Sequence, residues 1–196
     1  MKKILIVLAS ILAGLIVLVL LAAAVMPKDF KIEREIVIDK PKAEVFGYIK
    51  MMQKNGNSWS PWIKKDPKMV QTSKGTDGTV GYVGSWSGNS EVGVGEEEIT
   101  NIVPNERIDM ELRFSKPMKA TRHAYYITET IGADQTRVIW GMTGTTPFPY
   151  NAICFFMQKK VGAEFAAGLG NLREVLEKPQ EKAQAVVKEE MQEKAK

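Results

Sequence analysis

The sequence predicts an α+β domain, in which a curved antiparallel sheet of about seven strands wraps one long C-terminal helix, with one N-terminal transmembrane helix before it. Three observations predict this architecture. Residues 4–25 form an uncharged apolar run, residues 70–143 carry closely spaced strand-like segments, and residues 149–176 carry apolar side chains at the helical period. A sheet that is apolar on one face needs a cover, and the last segment supplies it.

The N-terminal run at residues 4–25 is long enough to cross a membrane. At a rise of about 1.5 Å per residue it spans roughly 33 Å, and the hydrocarbon core of a bilayer is about 30 Å thick. Lys2 and Lys3 precede it, as in a signal-anchor that leaves the domain on the periplasmic or extracellular side. Basic residues after the run favour the reverse orientation, and Ala22–Ala24 would suit cleavage of a signal peptide, so both alternatives stay open.

The composition limits the chain to one folded domain and few kinds of partner. The 196 residues divide into an anchor at 1–27, a domain at 28–177 and a charged tail, flexible or helical, at 178–196. The net charge of +4 comes from well-mixed acidic and basic residues, which argues against nucleic-acid binding. The single cysteine, Cys154, has no internal disulfide partner and lies among apolar residues, so we expect a buried, inert thiol.

Alternating apolar and polar residues, and then two prolines, predict the first elements after the anchor. Residues 30–38 alternate and are rich in β-branched side chains, which predicts a strand. Pro41 suits the first turn of a helix, which we expect to end at Gly56. The segment Trp59–Trp62 places two indoles around Pro61, and packing under one end of the sheet is the simplest role for them.

Six further strands are expected. They lie at Val70–Ser73, Thr79–Trp86, Glu91–Val103, Arg107–Phe114, Met118–Thr130 and Gln135–Thr143. Alternation puts Tyr126 and Trp140 on the apolar face. Glu91 and Glu97 share the phase of Ile99, so an inward Ile99 would point both carboxylates toward the interior.

The segment Pro149–Leu176 is the predicted covering helix. Its apolar stripe recurs every three or four residues, at Ile153, Met157, Val161, Phe165, Leu169, Leu172 and Leu176. Gly162, Gly168 and Gly170 thin this helix at a propensity cost of about 1 kcal/mol each. The missing side chains would either leave room for a ligand or let the helix approach the sheet closely.

A series of short motifs carries a family resemblance. The motifs are Ile36-Val37-Ile38 before Pro41, Trp59-Ser60-Pro61-Trp62, Trp86-Ser87-Gly88-Asn89, Val103-Pro104-Asn105-Glu106-Arg107, Trp140-Gly141-Met142-Thr143-Gly144, Pro147-Phe148-Pro149 and Gly168-Leu169-Gly170-Asn171-Leu172. Over roughly residues 28–177 the chain resembles the SRPBCC superfamily, also called START-like or helix-grip proteins. More narrowly, it resembles the polyketide cyclase/dehydrase and lipid-transport family in its membrane-anchored bacterial form.

The resemblance implies a cavity between the sheet and the C-terminal helix that holds a hydrophobic small molecule, such as a lipid, an isoprenoid or a polyketide-like compound. The lining that it implies is Trp62, Trp86, Tyr126, Trp140, Met142, Phe148, Met157 and Phe165. Each of these side chains would serve equally well in a plain core. Similar sequences tend to carry an apolar residue at position 97, so Glu97 argues against a purely apolar pocket.

The sequence lacks the residues that most catalytic mechanisms need. His123, predicted to face away from the pocket, and Cys154 are the only histidine and cysteine, so no metal is predicted. The segment Gly84–Gly88 only resembles a nucleophile elbow, because tryptophan stands at its centre. The segment Gly93–Glu98 lacks the third glycine of a dinucleotide site and carries three carboxylates, so no cofactor is predicted either.

Three functional hypotheses remain. The leading one is a binding protein that holds a hydrophobic small molecule and is tethered to a membrane by residues 4–25. The second is a cyclase/dehydratase-type enzyme, with Glu91 and Glu97 as acid and base if both are inward and desolvated. The third is an interaction protein whose core is filled by its own side chains.

Overall fold

The computed structural model describes residues 1–178, with only the backbone at positions 153–155. Its helices are α1 (Lys2–Val25), α2 (Lys42–Ile49), α3 (Met52–Trp59), α4 (Pro61–Lys65) and α5 (Asn151–Glu177). Its strands are β1 (Asp29–Ile38), β2 (Val70–Lys74), β3 (Val83–Ser87), β4 (Val94–Val103), β5 (Arg107–Lys116), β6 (Ala120–Gly132) and β7 (Gln135–Thr145). The predicted tail, from position 179 onward, and the expected burial of the Cys154 thiol lie outside the described residues.

The seven strands form one antiparallel sheet in the order β1-β7-β6-β5-β4-β3-β2. Strands β2 to β7 neighbour one another in sequence order because short connections join them. β1 pairs with β7, from Asp29 opposite Thr145 to Ile38 opposite Thr136. The predicted architecture is confirmed: a curved seven-stranded antiparallel sheet, a long C-terminal helix and an N-terminal apolar helix.

The long helix α5 runs beside β1 and in the same direction. Gly162, in the middle of α5, lies against the Arg34 side chain in the middle of β1. At the end of both elements, Glu177 Oε1 accepts a hydrogen bond of 2.8 Å from the backbone N–H of Asp39. The N-terminus of α5 therefore lies at the end of the sheet where β1 begins.

The helical segment after β1 differs from the prediction of one helix ending at Gly56. The chain leaves the helical conformation at Met51 (φ −82°, ψ 76°) and starts a second helix, α3, in which Gly56 is an interior residue. Asp77 caps this second helix, because its carboxylate accepts hydrogen bonds from the backbone N–H groups of Gln53 and Lys54 in the first turn, at 3.1 and 3.0 Å. That carboxylate comes from a distant loop, so local sequence did not indicate it.

The inward face of the sheet carries the core, as alternation predicts. Ile99, Met110 and Ala124 lie opposite one another in adjacent strands, and all three are buried. Tyr126 and Trp140 are also inward and buried, which confirms their predicted orientation. Helices α2, α3 and α5 supply the cover, through buried side chains that include Val45, Phe46, Ile49, Trp59, Phe165, Leu169 and Leu172.

The apolar helix α1 is joined to the domain at one point. Asn151, the first residue of α5, donates hydrogen bonds from Nδ2 to the carbonyls of Ala23 at 2.7 Å and Met26 at 3.0 Å. The Ala23 carbonyl would pair with the N–H of residue 27 in a continuing helix, but Pro27 has none. With a mean hydropathy of 3.3, α1 is the one helix among the described residues that is long and apolar enough to cross a membrane.

Candidate functional site

The two ends of the sheet differ in how well the inward face is covered. We call one the α1 end, because β1 starts there directly after α1; the β3–β4 turn and the β5–β6 loop lie at the same end. At the opposite, far end the inward side chains of Ile38, Ile108 and Val138 are fully buried. At the α1 end the inward residues are only half-buried; they are Phe30, Trp86, Glu97, Leu112, Phe114 and Arg122.

We call the half-buried area lined by Trp86, Glu97, Leu112 and Phe114 the groove. Trp86 and Phe114 meet edge to face, with ring centroids 5.6 Å apart. Gly95 lies between their strands, and the Trp86 ring covers it, because a Cβ on Gly95 would lie 2.7 Å from Trp86 Cζ2. Trp86 and Phe114 therefore form an aromatic surface that other side chains cover only in part. At the far end, by contrast, Ile38, Ile108 and Val138 are covered completely.

Helix α4 bridges the distance between α5 and the sheet edge that carries the groove. Lys65, at the end of α4, forms an ion pair of 2.7 Å with Glu164 of α5. Asn89, in the β3–β4 turn, donates to the Lys65 carbonyl at 3.0 Å. On the α5 side, Asn171 donates to the Trp59 carbonyl at 3.0 Å. These contacts cover one side of the groove at the β3–β4 turn, while Trp86, Leu112 and Phe114 stay half-buried.

Glu97 is the one carboxylate that lines the groove. Burial raises the pKa of its side chain to about 7, although the residue keeps part of its surface open to solvent. Nearby Tyr82 and Tyr126 experience its charge, which contributes to raising their pKa values. Glu97, Leu112 and Arg122 lie opposite one another in adjacent strands, so Leu112 separates the carboxylate from the inward cation. A group with this pKa exchanges a proton near neutral pH.

The prediction that Glu91 points inward beside Glu97 is wrong. β4 begins at Val94, three residues later than the sequence indicated, so Glu91 lies in the β3–β4 turn and is exposed. Its carboxylate is 3.9 Å from Lys65 Nζ, on the outside of the bridge made by α4. Asn89 sets this turn, since its Oδ1 accepts from the backbone N–H of Glu91 at 2.9 Å.

The eight predicted lining residues divide into three groups. Tyr126, Trp140, Met142 and Phe165 are buried, and Trp140 stacks on Phe165 with centroids 4.1 Å apart and an angle of 8°. Trp59, which was not among the eight, meets the Tyr126 and Trp140 rings edge to face. Trp62 and Trp86 are half-buried, and Trp86 lines the groove. Phe148 and Met157 are exposed at the α1 end. The structure thus brings the first group together as core and separates the others from it.

The helix glycines do not leave room for a ligand at two of the three positions. Gly162 is covered by the Arg34 guanidinium, and Gly168 by Trp140 and Pro61, where an added Cβ would lie 2.7 and 2.9 Å from their nearest atoms. Close helix–sheet approach, the second of the two interpretations, therefore describes both positions. Gly170 has no atom within 4 Å of an added Cβ.

Two clefts lie on the outward face of the sheet, away from α5. The first, of about 860 Å³, is lined by a row of facing residues, Thr72, Ser85, Glu96, Arg113 and Thr121, and reaches Trp86 and Phe114 at the α1 end. Arg113 forms ion pairs there with Glu96, Glu98 and Glu111 at 2.6, 2.8 and 2.7 Å. In the second, of about 640 Å³, Tyr125 donates to Glu33 at 2.5 Å. Since these charges are already paired, the apolar surface of Trp86 and Phe114, which lines the groove and also the end of the first cleft, is the better candidate for a ligand site.

Neither metal ligation nor histidine chemistry is supported by the geometry. Within residues 1–178, no cluster of three or more His, Cys, Asp or Glu side chains has the geometry to hold a metal ion. His123 is exposed on the outward face and lines the second cleft. Two groove residues, Leu112 and Phe114, were absent from the predicted lining, although their alternation with Asp109, Glu111 and Arg113 had already placed them on the inward face.

Comparisons with known proteins identify the family and the fold. A family model described as "Polyketide cyclase / dehydrase and lipid transport" matches residues 29–177. A search of curated proteins finds no significant match.

Solved structures share the fold at low sequence identity. The Aha1 dimer from Colwellia psychrerythraea has a TM-score of 0.55 at 17% identity, covering 77% of this chain and 98% of that one. CalU16 from Micromonospora echinospora has a TM-score of 0.52 at 16% identity, covering 81% and 82%. DynU16, from the dynemicin biosynthetic locus, has a TM-score of 0.53 at 13% identity, covering 76% and 47%. With its helix-grip fold and a family match over nearly all of the domain, the chain belongs to the polyketide cyclase/dehydrase and lipid transport family.

Proposed function

We propose that this protein holds a hydrophobic small molecule, such as a lipid, an isoprenoid or a polyketide-like compound, in the groove beside its membrane anchor. One observation carries the proposal: inward Ile38, Ile108 and Val138 are fully buried at the far end, whereas the aromatic side chains Trp86 and Phe114 at the α1 end are only half-buried. A molecule that covers Trp86, Leu112 and Phe114 would remove apolar surface from water, at about 25 cal/mol for each Å². The groove opens where such a molecule would arrive from a bilayer.

Glu97 adds a polar requirement to this apolar site. Desolvation is the only effect that shifts the pKa of its carboxylate, with no hydrogen bond or ion pair from a described residue contributing. A ligand with one hydroxyl or amide group near an apolar body would satisfy this carboxylate and cover the aromatic surface around it. A pure hydrocarbon would leave a buried carboxyl without a partner and would bind less well.

The membrane tether is the second part of the proposal. The 24-residue helix α1 is about 36 Å long, and its large side chains are exposed in the absence of a bilayer. We place its N-terminus in the cytoplasm and the domain on the periplasmic or extracellular side, because Lys2 and Lys3 precede the apolar run. Protease added to intact cells or spheroplasts should digest the domain if this orientation is correct, and should spare it until lysis if the orientation is reversed.

Two adjacent substitutions in β3 test the ligand site. Gly84 faces inward, and a Cβ there would have ordinary contacts with Tyr82 and Glu97 at 3.4 to 3.6 Å, so Gly84→Phe would fill the groove. Ser85 faces outward into the 860 Å³ cleft, which makes Ser85→Phe the matched control. The full chains are purified from their own membranes, and bound molecules are identified by native mass spectrometry after solvent extraction. We expect Ser85→Phe to retain the ligand and Gly84→Phe to lose it; the opposite pattern would move the site to the outward cleft.

An enzymatic role is the second candidate, and the pKa of Glu97 favours it. A carboxyl with a pKa of about 7 can both donate and accept a proton at neutral pH, as cyclisation or dehydration requires. In that case Glu97→Gln should retain an unreacted precursor that differs from the wild-type ligand by one water or by one ring closure. Recovery of the same molecule from both proteins would reject catalysis by Glu97. Empty wild-type protein would instead favour an interaction protein with a filled core.

A further inference from the structure

The surface around the open end of the groove is unusually apolar for a soluble domain. Met118, in the β5–β6 loop, is 51% exposed, and Phe148 and Tyr150, between β7 and α5, are 48% and 50% exposed. Phe156 and Met157, in the second turn of α5, are 71% and 58% exposed. We call these five residues the apolar rim. Solvent-exposed apolar side chains are ordinary when scattered, but here they come from two segments, the β5–β6 loop and residues 148–157, that lie at one end of the fold.

The position of α1 identifies what covers this rim. Asn151 holds the end of α1 through Ala23 and Met26, and it directly follows Tyr150. A 24-residue helix is about 36 Å long, whereas the hydrocarbon core of a bilayer is about 30 Å thick and the bilayer with its headgroups about 40–45 Å. If α1 spans the core, its joint with α5 lies in the headgroup layer. The rim is therefore at the depth where amphipathic side chains bind membranes.

The charges at the same end fit an anionic lipid surface. Five exposed lysines lie there, namely Lys28, Lys116, Lys119, Lys159 and Lys160. Acidic side chains at this end have partners: Asp29 accepts a hydrogen bond from Thr145 at 2.6 Å, Asp66 accepts one from the Asn89 N–H at 2.6 Å, and Glu91 is 3.9 Å from Lys65. Basic residues next to exposed apolar and aromatic side chains are typical of surfaces that bind anionic bilayers.

We propose that the apolar rim inserts into the headgroup layer of the membrane that α1 crosses, as a second membrane contact that keeps the open end of the groove against the bilayer. This inference rests on the membrane tether of the proposed function. It adds a second point of attachment beside the Asn151 joint, because a helix joined at one point and a separate apolar surface together fix the orientation of the domain more firmly than the joint alone. A ligand could then move between bilayer and groove without crossing bulk water.

Spin-label depth measurements on the full chain test the inference. In a Cys154→Ser background, a nitroxide is attached to single cysteines introduced by Met118→Cys or Tyr150→Cys at the rim. Asp134→Cys, in the exposed β6–β7 turn at the far end, is the water-exposed control, and Leu15→Cys, in α1, reports on the tether. The proteins are reconstituted into vesicles of phosphatidylcholine with phosphatidylglycerol, and collision rates with oxygen and with a water-soluble nickel chelate are compared.

We expect the rim labels to collide with the nickel chelate on the order of threefold less often than the label at position 134, because the headgroup layer borders the apolar region from which polar solutes are excluded. Rim labels as accessible as position 134, with position 15 protected, would overturn the inference and leave the tether intact. An accessible label at position 15 would instead reject the tether itself. Lys116→Gln with Lys119→Gln should raise the accessibility of the label at position 150 in anionic vesicles; no change would overturn the electrostatic part.

Discussion

Asn151 donates a hydrogen bond of 2.7 Å to the Ala23 carbonyl, and so joins the last turn of α1 to the first turn of α5. Both the donor residue and Ala23 are buried, although the rest of α1 is largely exposed. Pro27 creates the need for this bond, because it deprives the Ala23 carbonyl of its usual helical partner. The orientation of the groove relative to the apolar helix depends on this contact.

Replacing Asn151 should weaken that joint. Asn151→Ala removes two hydrogen bonds and leaves a buried carbonyl unpaired, which should lower the free energy of unfolding by about 1 kcal/mol. This is the low end of the usual cost of an unpaired buried group, because the substitution also removes the Asn151 Oδ1 atom, which is itself unpaired. Urea unfolding of the full chain in detergent measures this loss. Asn57→Ala, which removes one exposed hydrogen bond to Gln71, serves as the control and should change stability by less than about 0.5 kcal/mol. Equal losses in the two variants would contradict a special role for Asn151.

Glu97 should make stability depend on pH in a defined direction. Burial raises its pKa from 4.5 to about 7 in the folded protein, so the folded state disfavours the ionised carboxylate. Below about pH 4.5 the group is protonated in both states and costs nothing. Above about pH 7 it is ionised in both, and the folded state is destabilised by about 3 kcal/mol. The loss therefore develops as the pH rises from about 4.5 to 7.

The comparison of Glu97→Gln with wild type isolates this effect, because all other titrating groups are shared. We expect the variant to be more stable by about 3 kcal/mol at pH 8 and nearly equal at pH 4.5, as measured by urea unfolding. Glu91→Gln is the matched control, since that carboxylate is exposed in the β3–β4 turn. A difference between wild type and Glu97→Gln that does not change with pH would show that the Glu97 pKa is not raised.

The two helix glycines with different surroundings should respond oppositely to alanine. Gly168→Ala forces a Cβ to within 2.7 Å of the Trp140 ring and 2.9 Å of Pro61, both rigid, and should destabilise by about 1–2 kcal/mol. Gly170→Ala meets no atom within 4 Å and should stabilise by about 0.5–1 kcal/mol through helix propensity. Thermal or urea unfolding distinguishes them. A stabilising Gly168→Ala would mean that α5 is not held tightly against the core.

Much of the fold could be predicted because its signals are local. Alternation in β5 and β7 placed Ile108, Phe114 and Trp140 on one face, and the spacing from Met157 to Leu176 indicated the covering helix. Both signals depend only on the period of a strand or a helix. The inward position of Glu97 followed from the same period, once Ile99 was assigned to the core.

The predictions that were wrong concern features set by residues distant in the sequence or by loop conformation. The second helix, α3, starts at Met52 with its first turn capped by Asp77, which lies in a distant loop. The Glu91 error came from assuming that β4 extends into a turn that Asn89 forms. The open end of the groove could not be predicted from any one segment either, because it results from where four strand ends and the start of α5 meet.

The groove itself is tested most directly by photo-crosslinking from within it. A diazirine analogue of leucine replaces Leu112, which faces the groove, or Ser85, which faces the outward cleft, in the full chain expressed in its own cells. Irradiation of the cells is followed by intact-mass analysis of the purified protein. We expect position 112 to gain a discrete mass of one small apolar molecule and position 85 to gain none. No adduct at position 112, or adducts at position 85 alone, would contradict a ligand-binding groove on the inward face of the sheet.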